Sequence, residues 1–137
     1  MLVVLDSNVL ISALISTGSP PDLIYRAWRE KHFTLVTSKD QLAELRRASR
    51  YPRLRKLVPP REFWTLINRL HGALVLDRVP RIEVSRDPHD DYLLAMAAAT
   101  EVDFLVTGDA RGLLRLKKFG RTRILGPGSF LKLLRKP

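Results

Sequence analysis

Short apolar runs alternate with helix-forming stretches along this chain, and that alternation constrains its fold more than any other feature. Leu2–Leu5, Phe33–Val36, Ala73–Leu76, Asp103–Val106 and Thr122–Leu125 have the length and aliphatic content of buried strands. The signals between them are those of helices. Ser19 before Pro20 reads as an N-cap with proline at the first helical position, opening a helix through Leu23, Ile24, Ala27 and Trp28. Ser38 with Gln41 three residues on has the spacing of a capping box, and Leu42 and Leu45 give that helix an inward face. Pro52 interrupts the stretch beyond Arg46 and leaves a short helix near Leu54–Leu57. Pro59-Pro60 opens another, with Phe63, Trp64, Ile67 and Leu70 as core positions. Asp87-Pro88-His89-Asp90 is a helix start with Asp87 as cap, and Tyr92–Ala99 is apolar all round, the mark of a buried helix. Val9–Leu14 and Pro127–Leu134 supply two more helices. Strands separated by helices imply an α/β fold, a central parallel sheet of about five strands between two helical layers, with residues 1–137 as a single domain.

In such a sheet the functional crevice lies beyond the carboxyl ends of the strands. Asp6 follows the first run, and Asp109 follows the fourth in Thr107-Gly108-Asp109. Asp91 falls in the first turn of the helix leading into the fourth strand, and Glu44 in the second turn of the helix after the second. Four carboxylates facing one crevice repel unless they share cations or protons. A set of oxygen donors, in a chain with no cysteine, suits magnesium or manganese. Three of the four also have a plain structural reading: Asp6 as a cap, Glu44 as an ion-pair partner of Arg47, Asp109 as a turn residue. His32, His71 and His89 show no ligand spacing and read as surface or helix-flank residues, and Trp28 and Trp64 as packing.

The formal charge of +10 is unevenly spread. Arg46, Arg47, Arg50, Arg53, Arg55, Lys56 and Arg61 lie between Glu44 and Glu62 with no acid among them, and no acid follows Asp109. Fields of this kind attract polyanions. The chain opens on a strand without a charged leader and has no apolar run of membrane-spanning length, so the expected setting is the cytoplasm.

Four segments, in order, bear a family resemblance: Val3 to Asn8 with Asp6, the helix of Glu44, Arg86-Asp87-Pro88-His89-Asp90-Asp91-Tyr92-Leu93-Leu94-Ala95, and Val106-Thr107-Gly108-Asp109. Together they resemble the motifs of PIN domains, and more narrowly the VapC-like ribonucleases that serve as toxins in toxin–antitoxin pairs. The resemblance implies a three-layer PIN-like fold with Asp6, Glu44, Asp91 and Asp109 as catalytic tetrad and metal ligands. Asp90 would join the ligands if the helix began one residue differently, and Asp87 is kept for the cap. Asn8 and Thr107 match supporting polar positions, while Arg111 stands where many members have another acid. The implied chemistry is hydrolysis of RNA assisted by Mg2+ or Mn2+, leaving 5′-phosphate and 3′-hydroxyl ends. The implied partners are RNA, held along Arg46, Arg47, Arg50 and Arg53, an antitoxin that could use the same stretch, and a second copy in a homodimer. The alternative is a catalytically impaired PIN-like module that binds RNA or protein. Aspartate phosphatases need a second aspartate two residues after the first, where this chain has Asn8.

Overall fold

The computed structural model describes residues 1–85 and 87–136. Arg86, the first residue of the acidic motif, and Pro137 lie outside the described residues.

The element order is β1 (Leu2–Leu5), α1 (Ser7–Ile15), α2 (Pro20–Arg29), β2 (Thr34–Ser38), α3 (Lys39–Ala48), α4 (Pro52–Arg55), α5 (Pro60–Leu70), β3 (Leu74–Leu76), α6 (Pro88–Ala99), β4 (Phe104–Val106), β5 (Lys118–Phe119), β6 (Thr122–Leu125) and α7 (Pro127–Arg135), with a 3-10 turn at Leu113–Leu116 before β5. The sheet order is β3-β2-β1-β4-β6-β5. β1 lies parallel to both neighbours, with Leu5 opposite Val106 of β4 and Val4 opposite Val36 of β2. The chain therefore leaves β1 toward β2 and later returns to its other side, which puts a topological switch point between β1 and β4.

The sheet has six strands rather than five. The extra one, β5, has two residues and runs antiparallel to β6, with Gly120 at φ 58° in the connecting turn. It is too short to show a period of two, so nothing in the sequence marks it as a strand.

Side chains alternate across β1. Val3 and Leu5 join a core with α1, α2, α3, α5 and α7, and Val4 joins the opposite one, built on Leu93, Leu94, Met96 and Ala97 of α6. This is the three-layer arrangement that the alternation implies. α6 buries nearly its whole circumference, as its uniform apolar sequence requires. α5 buries Phe63, Leu66, Ile67 and Leu70, but Trp64 is turned to solvent at 51% exposure, so it is not the core residue its neighbours suggested. One residue along a helix is a rotation of about 100°.

Ser38 caps α3 by accepting from the Gln41 backbone N–H at 3.1 Å. The Gln41 side chain does not reach back to complete the box. Its amide donates to Leu5 O at 2.7 Å and to Ser7 Oγ at 3.3 Å, and its carbonyl accepts from Thr37 Oγ1. Buried Gln41 thus locks the end of β1 to the starts of α1 and α3, directly beneath Asp6.

Candidate active site

Asp6 is the first residue beyond β1 and the N-cap of α1. Its backbone N–H continues the ladder to Val106 O at 2.9 Å. Its carboxylate, 2% exposed as a residue, accepts from the Asn8 N–H at 3.1 Å and from Thr107 Oγ1 at 2.8 Å. Thr107 Oγ1 also accepts from the Asp109 N–H at 3.2 Å, so one hydroxyl indexes both acids. Asn8 contributes its backbone, and its side chain is exposed.

The first turn of α6 faces this corner. His89 stands between two acids, its Nδ1 3.0 Å from Glu44 Oε2 and its Nε2 3.4 Å from Asp6 Oδ1. Burial pushes the Asp6 carboxyl up, but the hydrogen bonds from His89, Asn8 and Thr107 together bring it below its ordinary value. Glu44 behaves likewise: burial raises it, and His89 with Ser7 takes it below. The hydrogen bonds to Asp6 and Glu44 raise His89 from 6.5 to about 10 against the opposing effect of its burial. His89 is therefore an imidazolium at neutral pH that donates to both carboxylates, not a helix-flank residue. Glu44 pairs with His89, and no ion pair to Arg47 is formed among the described residues.

Asp90 is buried, and its carboxyl is raised by that burial and by the charges of Asp87, Asp109 and Asp6. Asp109 is exposed and accepts from the N–H groups of Arg111 at 3.2 Å and Gly112 at 3.1 Å. Its other oxygen and Asp90 Oδ2 converge on the empty side of Gly112, where a Cβ would fall 2.9 Å from Asp90 Oδ2 and against Asp109 Oδ2.

Asp91 is the departure from the tetrad implied by resemblance. Its Oδ1 accepts from Ser85 N at 2.7 Å and Val84 N at 3.0 Å, chiefly the Ser85 bond lowers its pKa, and it lines a separate hollow with Asp40 and Tyr92. α6 starts at Pro88 with Asp87 as its cap, so the expected register holds. A turn of about 100° separates adjacent helical residues, and Asp90 is the one directed toward Asp6 and Asp109. Asp87 accepts from the His89 N–H at 2.9 Å as a cap does.

Among the described residues, no three His, Cys, Asp or Glu side chains are gathered closely enough to hold a metal ion. The donor chemistry nevertheless fits a hard divalent cation. Among the described residues, Glu44 Oε1 is buried without a hydrogen-bond partner, and Asp90 is crowded by like charges that a cation would relieve.

Without metal, the His89 triad is expected to make stability depend on pH. His89 has its higher pKa in the folded state, so its contribution is complete below about 6.5 and is lost as pH rises toward about 10. Asp6 and Glu44 have lowered values, so their contribution is present above the ordinary carboxylate range and is lost as pH falls through the folded values. Thermal unfolding of wild type and His89→Gln, from about pH 5 to about pH 10, should show a Tm gap that narrows as pH rises. A gap independent of pH would rule out the charged triad.

Arg46, Arg47, Arg50 and Arg53 are all exposed, and none forms an ion pair among the described residues. They fall at the end of α3, in the turn that follows it and at the start of α4. No helix is long and apolar enough to cross a membrane among the described residues.

A family model described as PIN domain matches residues 2–111. No curated protein matches the chain.

Proposed function

The chain belongs to the PIN domain family, whose members are in general nucleases, and from that premise we propose that it is a metal-dependent endoribonuclease and the toxin of a toxin–antitoxin pair. The observation that supports this most is the convergence of Asp90 and Asp109 at Gly112, close enough to Asp6, at the β1–β4 switch point, for its charge to act on Asp90. Asp6, Asp90 and Asp109 are the residues that would hold Mg2+ or Mn2+, and Glu44 would join them once released from His89. When bound, the cation supplies Lewis acidity toward water and phosphate. The chain's own residues do the rest. Thr107 fixes the orientation of Asp6, Gln41 anchors the strand end beneath it, and Arg46, Arg47, Arg50 and Arg53 draw the RNA backbone along α3 and α4.

The part beyond residue 111 belongs to the same domain in this proposal: β6 pairs with β4, and Phe130 of α7 is buried in the core shared with β1. Tyr51, Leu57 and Trp64, all more than half exposed, occur within the basic α3–α5 stretch and give an antitoxin or a second copy an apolar foothold. A cytoplasmic setting fits such a toxin.

The second reading is a module that binds without cutting. Its supporting observation is the His89 clasp, which holds Asp6 and Glu44 in the manner of a resident cation. Labelled single-stranded and structured RNAs, incubated with and without Mg2+ or Mn2+, separate the two. Wild type is expected to cut only with metal, leaving 5′-phosphate ends, and Asp6→Asn to lose roughly 10²–10³-fold in rate. Asparagine is as good an N-cap as aspartate, so the variant should fold. Undiminished cutting by Asp6→Asn would defeat the nuclease site. RNA binding by wild type without any cutting would favour the second reading.

A further inference from the structure

A cavity of about 430 Å³ opens directly beside Asp90 and Asp109. Both acids line it. Ser85 and Asp87 add polar lining, and the apolar part is Val84 and Leu116, 54% and 44% exposed, with buried Leu113 between the acids' turn and Leu116. Arg111 completes the wall, its backbone N–H held by Asp109. Aliphatic side chains left open to water beside a charged cluster indicate a ligand that is apolar on its faces and bonded to something charged. A nucleobase joined to a sugar-phosphate has that character, with two π faces, a polar edge and an anion one linkage away.

We infer that this cavity receives an unpaired nucleobase next to the phosphate lying at Asp90 and Asp109. The inference rests on the nuclease reading for the identity of that phosphate. Val84 and Leu116 cover the faces of the base, and the Arg111 guanidinium stacks on it or bonds its edge. A base inside a duplex cannot enter without leaving its stack, so the cavity selects single-stranded or looped RNA and sets a preference at one position beside the cut. It also gives Arg111 a role at a position where many members have an acid.

The test uses methyl-resolved NMR of the full-length protein in saturating Mg2+, with 5′-mononucleotides as probes and ribose 5-phosphate as the control. Nucleotides are expected to shift the methyl signals of Val84, Leu113 and Leu116 saturably, and ribose 5-phosphate to leave them in place. Leu116→Ser should weaken nucleotide binding roughly tenfold, the size of one lost base contact. Shifts that ribose 5-phosphate reproduces, or no shifts at all, would overturn the base site. The cleavage assay reports separately: cutting without nucleotide shifts keeps the nuclease and discards the cavity, and shifts without cutting do the reverse.

Discussion

Asp90→Asn is expected to stop RNA cleavage while the protein stays folded, and Asp91→Asn to leave cleavage intact while loosening the segment it holds. The two residues are adjacent on α6 and chemically identical, so the contrast isolates direction. Asp90 is buried among the charges of Asp87, Asp109 and Asp6. Neutralising it relieves repulsion in the metal-free protein, so its Tm should hold or rise, and the carboxylate that would face the cation is gone. The expected fall in rate is on the order of 10²–10³-fold. Asp91 instead anchors the Val84 and Ser85 N–H groups. Its asparagine variant weakens those bonds, which amide exchange at Val84 and Ser85 would report as lost protection while the rate per folded molecule holds. If Asp91→Asn lost the activity and Asp90→Asn kept it, the implied tetrad would stand and the placement given by α6 would fall.

Gly112→Ala is expected to be nearly as damaging without touching a carboxylate. The added methyl falls on the ends of two acid side chains and not on backbone, so folding can accommodate it by swinging them aside. Those ends are Asp109 Oδ2 and Asp90 Oδ2, which the proposed reaction needs together. Displacing reacting groups by about 1 Å can lower a rate by roughly 10². Circular dichroism should show an unchanged fold, with cleavage reduced by about that factor and Mn2+ binding by calorimetry weakened in parallel. Full activity in Gly112→Ala would mean that Asp90 and Asp109 do not act at that point.

Much of this arrangement was legible in the residue pattern, and the exceptions have physical causes. Ser19, Ser38 and Asp87 each cap the helix they were assigned, because a cap is a local bond between near neighbours in sequence. The alternation of strands and helices placed Asp6 and Asp109 at the carboxyl edge of the sheet, and the pairing of β1 with β4 makes them neighbours there. The choice between Asp90 and Asp91 was not available from sequence. An amphipathic helix shows which of its sides faces the core, but α6 is apolar nearly all round and so has no readable phase. His89 escaped notice because its two partners lie in α3 and at the end of β1, and no local spacing encodes contacts that distant. Trp64 was misread for the opposite reason: the periodic set Phe63, Leu66, Ile67 and Leu70 was already complete without it.

The two halves of the candidate site differ in how they can open. Asp6 extends from a strand with core packed on both faces, and its own N–H belongs to the sheet ladder. Freeing it amounts to unfolding the domain, so it has the stability of the global fold. Asp109 lies in an exposed turn beyond β4, and Asp90 in the first turn of α6, where local opening needs far fewer broken contacts. Asp6 is therefore the fixed jaw of a vise. In the proposed reaction, clamping a substrate and letting it go would both fall to the other jaw.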